Sequence, residues 1–173
     1  MPTLYLMLGY PGSGKTTAAR IISDLTGAEH IWADRERNKM FGRPTHQEHE
    51  SHELYGRLNQ ETDRLLSAGK SVIFDTSFNY VRDRDYMRSI ATRHGAALVI
   101  LWVETPKELA KARALSHEHA SKNHYHAVMS PKTFARITGN LEAPMTHETH
   151  VILDGTKLTF RYVAEKLGIA IPA

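Results

Sequence analysis

Short apolar runs alternate with longer amphipathic stretches along the whole chain. Thr3 to Leu8 reads as a buried strand, and Lys15 to Leu25 as a helix closed by Gly27. His30 to Ala33 is a short strand candidate. A long helix is expected from near Thr45, where Thr45 and Glu48 stand at capping-box spacing, to just before Gly69. Ser71 to Phe74 is the next strand, and Val81 to His94 a helix stopped by Gly95. Ala97 to Val103 is the most apolar strand. Thr105, Pro106 and Glu108 then supply a cap, a proline at the first helical position and a capping glutamate. Ser130-Pro131 opens another helix in the same way, ending before Pro144. Val151 to Leu153 is a last short strand, and a helix over Phe160 to Leu167 closes at Gly168.

Strands separated by helices imply crossover connections and a parallel sheet covered on both faces, so the expected class is α/β. At 173 residues the chain suits one domain over residues 1–173. Its 41% apolar and 24% charged residues are ordinary for a soluble protein. The longest apolar run, Ala96 to Val103, is far short of the roughly 20 residues of a membrane helix, so no membrane partner is expected. The N-terminus carries no basic-then-apolar leader, and with no cysteine there is no disulfide and no thiol nucleophile. The cytoplasm is the default address. A net charge of +3, from 22 basic and 19 acidic side chains, permits a phosphate-bearing partner without requiring one.

Between the first strand and the first helix stands Gly9-Tyr10-Pro11-Gly12-Ser13-Gly14-Lys15-Thr16, followed by Thr17. This is a phosphate-loop pattern in its confirming context. Glycines let successive N–H groups turn inward onto phosphate oxygens, with a helix dipole behind them. Lys15 would bridge the β- and γ-phosphates, and Thr16 would place its hydroxyl on Mg²⁺, so ATP and Mg²⁺ are the expected cofactors. The plainer alternative is a glycine-rich turn with a surface lysine.

Ligands of open α/β sheets bind beyond the carboxyl ends of the strands. Here those ends carry Asp34, Asp75, Glu104 and Asp154. Asp34 and Arg37 share one face of a first helical turn, which suits accepting a hydroxyl proton and gripping an anionic acceptor. Their alternatives are an N-cap and a solvated arginine. Asp75, followed by Thr76, could hold Mg²⁺ through water or orient an acceptor-binding arginine, against a plain Asx-turn. Glu104 and Asp154 fit caps and turns. Arg113 is the candidate cation for charge developing on the γ-phosphate. His117 to His126 reads as a flap over the site. His46, His49 and His52 converge poorly and read as a solvated helix face rather than a zinc site. Arg82, Arg84 and Arg88, with Tyr80 and Tyr86, are the best candidates for a nucleic-acid path.

Met7 to Thr17, Asp34-x-x-Arg37 and Val72-Ile73-Phe74-Asp75-Thr76 together resemble the phosphate-loop kinase superfamily. Within it the pattern is most similar to the 5′-polynucleotide kinase domain of bacteriophage type and its relatives. The resemblance implies an α/β/α sandwich with strand order 2-3-1-4-5 and a helical lid, here about residues 106–142. It implies Asp34 as general base toward a 5′-hydroxyl, Arg37 on the acceptor phosphate, and lid arginines on the transferring group. Arg113 matches one lid position; Ser116 to His119 stands where another arginine is expected. The acceptor is therefore expected to be a 5′-hydroxyl nucleic acid or a small molecule such as a metabolite, nucleotide sugar or antibiotic. A nucleotide-dependent switch without an acceptor is the rival from another class, but it has no use for Asp34-x-x-Arg37.

Overall fold

The computed structural model describes residues 1–122 and 127–171. Five parallel strands form one sheet: β1 (Thr3–Leu8), β2 (Glu29–Trp32), β3 (Val72–Asp75), β4 (Ala97–Glu104) and β5 (His150–Asp154). Their order, β2-β3-β1-β4-β5, is the order the family resemblance implies. β1 lies in the middle, pairing Leu6 with Phe74 on one side and with Ile100 on the other.

Alternation along the strands sends side chains to two cores. Leu4, Leu6, Val72 and Phe74 pack with Leu54 and Leu58 of α3 (Glu48–Ser67) and Met87 and Ile90 of α4 (Val81–Arg93). Met7, Ile73, Leu101 and Leu153 pack on the other face with Ala18 and Ile22 of α1 (Lys15–Thr26) and Val163 of α8 (Phe160–Leu167). α2 (Ala33–Phe41) follows β2 directly. A third, smaller cluster joins Ala110 and Ala114 of α5 (Lys107–Ala114) to Phe134 of α7 (Pro131–Gly139) and to Tyr10. α6 (His117–Lys122) occupies the first part of the expected flap; residues 123–126 lie outside the described residues.

Several local expectations are corrected. β2 ends at Trp32, and Ala33 already begins α2. α3 starts at Glu48 with Gln47 as its cap residue and no side-chain cap. Thr45 is indeed held by a carboxylate, but by Glu50, which accepts from Thr45 N, Thr45 Oγ1 and His46 N at 2.9–3.0 Å. The chain turns sharply at His46, whose φ is 58°, and this brings Glu50 rather than Glu48 under the loop. Thr105 does not cap α5; its hydroxyl donates to the Ser13 carbonyl at 2.8 Å, and Pro106 is the cap residue. Ser130 caps α7 as expected, accepting from Thr133 N.

The proposed nucleic-acid stripe is also revised. Arg84 is fully buried and donates to both carboxylate oxygens of Glu148 at 2.8 and 2.9 Å and to the carbonyls of Phe78, Glu142 and Ala143. Arg88 also reaches Glu148, at 3.3 Å. Burial pushes the Glu148 carboxyl up, but the Arg84 hydrogen bonds, the Met145 N–H and the two guanidinium charges outweigh it and hold it below the usual range. Arg84 is thus a clamp that fixes the loop before β5. Removing one partner of such a pair strands the other charge in the core. Arg84→Ala is expected to lower the unfolding free energy by about 3–5 kcal/mol in urea denaturation, and Arg82→Ala, at an exposed position, by well under about 1 kcal/mol.

Candidate active site

The loop between β1 and α1 curls as its glycines allow, with positive φ at Gly9, Gly12 and Gly14. Two close approaches fix it in place. A Cβ at Gly12 would collide with the Ala110 carbonyl and, at 2.8 Å, the Ala114 nitrogen of α5. A Cβ at Gly155, in the loop after β5, would collide with Thr105 Oγ1 and the Ser13 carbonyl. Tyr10 and Pro11 form the outer turn, and Tyr10 meets the Phe134 ring edge-on at 6.4 Å. Thr16 and Thr17 stand in the first turn of α1, Thr16 half-buried and Thr17 exposed.

Lys15 Nζ donates to the carbonyls of Gly9 and Tyr10 at 2.9 and 2.8 Å, which rules out a plain surface lysine. Burial lowers its pKa to about 8, while the carboxylates of Asp75 and Asp34 oppose that shift. The loop lysine and the acids ending β3 and beginning α2 therefore share one electrostatic site.

Asp34 is not an N-cap: Trp32 holds that position without a side-chain cap, and Asp34 lies half-buried in the first turn of α2. Arg37 is not on a solvated face either, being only 6% exposed. Its Nη2 donates to Ser51 Oγ at 3.2 Å. Its Nη1 is buried without a hydrogen-bond partner, 3.8 Å from Glu50 Oε2. Thr76 shares a 2.9 Å hydrogen bond with the Tyr55 hydroxyl from α3. Burial raises the Tyr55 pKa, and both Asp34 and Arg37 act on it. Asp75, almost fully buried, pairs with His30 Nε2 at 3.0 Å rather than with an arginine.

On the other side of the loop, Arg113 Nη1 donates to the Gly155 carbonyl at 3.2 Å. His119 of α6 is brought within electrostatic reach of Lys15: burial, Lys15 and Lys122 all lower its pKa, so it is neutral near pH 7. Asp154 serves a turn, accepting from Thr156 N at 2.9 Å. A cleft of about 760 Å³ opens from Tyr10 along Thr105, Lys107, Thr156 and Tyr162. No group of three or more metal-ligating side chains exists among the described residues. His46, His49 and His52 are all exposed. No described helix is long and apolar enough to cross a membrane.

Sequence reasoning missed Glu50, Ser51, Tyr55 and His30. The first three come from a helix whose start was read as a solvated histidine face, and each meets its partner across a chain reversal. His30 was visible as the polar member of a short strand, two positions before Trp32.

No curated protein matches the sequence. Solved structures share the fold at low identity. A provisionally assigned kinase from Chloroflexus aurantiacus superposes with a TM-score of 0.78 at 16% identity, over 96% of this chain and 97% of that one. A gluconokinase from Sinorhizobium meliloti gives 0.65 at 20% identity, over 96% and 90%. A chain of the Pnkp1/Rnl/Hen1 RNA repair complex gives 0.68 at 20% identity, over 81% of this chain and 44% of that one. The sheet order and loop are those of the P-loop kinase fold. The AAA domain family matches residues 4–144, most of the chain, and the protein belongs to that family.

Proposed function

We propose that this protein is an ATP- and Mg²⁺-dependent phosphotransferase whose acceptor carries both a hydroxyl and an anionic group. One observation carries the reading: the loop lysine shares its field with Asp34, and one turn after Asp34 stands a buried arginine with an unpartnered N–H. A buried, unpaired guanidinium N–H is costly unless a ligand completes it. Arg37 is thus placed to take an anion while Asp34 takes a proton from the acceptor hydroxyl. That oxygen forms the new bond to the γ-phosphorus, the bond to the β–γ bridging oxygen breaks, and ADP leaves.

The backbone N–H groups over Gly12 to Thr17 and the Lys15 ammonium suit the phosphates. The cleft beside Tyr10 is the adjoining volume for the nucleoside. Arg113 supports charge on the transferring group, with α5, α6 and α7 as the described parts of a lid. Thr16 and Asp75 fit Mg²⁺, because a hydroxyl and one carboxylate are hard oxygen donors too few to strip its waters. Bound there, the ion would neutralise charge on the β- and γ-phosphate oxygens. Thr76 and Tyr55 line the acceptor side.

Among acceptors, a small anionic hydroxyl compound fits best. Arg37 is enclosed rather than set along an open groove, and Arg84 and Arg88 are spent on Glu148. The 5′-hydroxyl end of a polynucleotide is the second reading. It is favoured by the Asp34-x-x-Arg37 pair and by the likeness to a chain of an RNA repair complex.

Transfer of label from γ-labelled ATP, tested on 5′-hydroxyl oligonucleotides and on phosphorylated or carboxylated sugars and alcohols, separates the two. Label on an anionic small molecule that vanishes with Lys15→Ala is the expected result; label on the oligonucleotide selects the second. Asp34→Asn is expected to lose on the order of 10²-fold in turnover with nucleotide affinity retained. Activity within a few-fold of the parent removes the base role. Arg37→Ala is expected chiefly to raise the acceptor KM, read in steady-state kinetics at saturating ATP.

The lowered Lys15 pKa also sets a pH dependence. The ammonium is charged below about pH 8 in the free protein. Phosphate binding favours that charged form, so above pH 8 binding must take up a proton. Affinity for a non-hydrolysable ATP analogue is therefore expected to fall from pH 7 to 9.5, approaching tenfold per unit at the upper end. Calorimetry across that range, with Lys15→Met as a pH-insensitive control, checks it.

A further inference from the structure

His30 and Asp75 lie on the same face of neighbouring parallel strands. The register pairs His30 with Ile73 and Trp32 with Asp75, which sets His30 diagonally beside the carboxylate. Its Nε2 stands 3.0 Å from Asp75 Oδ2, with the two side chains 13% and 3% exposed. In this contact Nε2–H of the imidazole is the donor when the carboxylate oxygen accepts. The His30 ring stacks on Trp32, with centroids 6.3 Å apart and planes 14° off parallel. Trp32 in turn carries the Arg20 guanidinium 5.0 Å from its ring centre. Arg20 stands one helical turn after Thr16 on the same face of α1. The contacts thus run from Asp75 through His30, Trp32 and Arg20 back to the helix that carries Thr16.

We infer that His30 is a positioning residue: by donating Nε2–H to Oδ2 it fixes the plane of the Asp75 carboxylate and leaves the other oxygen for Mg²⁺ and its waters. This rests on the reading of Asp75 as the acid that serves the metal. A buried carboxylate with one oxygen anchored has fewer orientations to lose when the ion arrives. Partners of this kind, one bond removed from a metal, typically change metal affinity by about 10- to 100-fold when mutated. Trp32 and Arg20 brace the imidazole, so the orientation is passed from α1 to the end of β3.

Two substitutions separate the donor from the ring. His30→Phe keeps an aromatic on Trp32 and removes the N–H; His30→Gln removes the ring and keeps a donor of similar reach. The measurement is calorimetric affinity for a non-hydrolysable ATP analogue with and without Mg²⁺, whose ratio reports the metal's contribution independently of turnover. His30→Phe is expected to lower that ratio by about 10-fold, and His30→Gln to restore it to within about threefold of the parent. Equal ratios in the parent and His30→Phe, or equal losses in both variants, overturn the positioning role. Asp75→Asn serves as the reference. If it leaves the ratio unchanged, Asp75 does not serve the metal and the underlying reading falls with the inference. If it lowers the ratio while His30→Phe does not, only the role of His30 is lost. Thermal unfolding of each variant identifies any that fails to fold; should His30→Phe do so, His30→Leu takes its place as the variant without a donor.

Discussion

At Gly12 and Gly155 neighbouring segments approach the phosphate loop too closely for any side chain, and the site depends on these contacts. At Gly12 the loop rests directly on the Ala110 carbonyl of α5, and at Gly155 the segment after β5 rests on Ser13 and Thr105. No side chain fits at either point, so three segments distant in sequence meet with main chain against main chain. The Thr105 hydroxyl seals the junction by donating to the Ser13 carbonyl. One consequence is that α5 cannot shift without disturbing the loop. Arg113, tied to the Gly155 carbonyl, is held against the same junction. What looks like a cap and a proline at the start of α5 is better understood as the edge of that junction. Thr105 serves the loop, and the helix begins without a side-chain cap.

Two buried arginines show how differently the same group can be used. Arg84 is surrounded by acceptors, two carboxylate oxygens and three carbonyls, and its charge is fully committed to holding residues 142–148. Arg37 is almost as deeply placed but has a weaker set: the Ser51 and Tyr55 hydroxyls, a carboxylate beyond hydrogen-bond reach, and an Nη1–H without a hydrogen-bond acceptor. Glu50, its nearby acid, is spent on the backbone of Thr45 and His46, which holds its carboxyl below the usual range. A satisfied arginine is architecture. Arg37 keeps a buried Nη1–H without a hydrogen-bond acceptor, which the anionic group of the proposed acceptor would supply.

The strands and the loop were legible because both are local signals. β1, β3 and β4 are compact apolar runs, and the glycine pattern sits at a strand-to-helix turn that needs those glycines. Asp34 and Arg37 were legible for the same reason, being one helical turn apart. What escaped were pairings across a chain reversal or between elements. Glu48 and Glu50 are both acids near Thr45, and only the turn at His46 decides which one reaches it. Arg84 sits among charged neighbours on a helix that reads as a candidate nucleic-acid path, while its partner lies 64 residues away. His30 finds Asp75 only once β2 and β3 are in register. Nothing in the local sequence carries that register.

The charges around Lys15 explain why the site is arranged with two acids rather than one. An ammonium enclosed by carbonyls loses hydration, and burial alone would drive it toward its neutral form. Asp75 and Asp34 pull the other way, leaving the pKa at about 8, so the lysine stays charged near neutral pH. On the proposed reading, the acids that would serve a metal and an acceptor hydroxyl also help to keep the Lys15 ammonium protonated. The same two carboxylates carry charge that an incoming triphosphate would oppose, and a divalent cation beside Asp75 would relieve it. In the free protein, burial, Lys15 and Lys122 hold the His119 pKa below its ordinary value. On the proposed reading the divalent cation would lie on the Asp75 side of the loop, beside the carboxylate that His30 contacts.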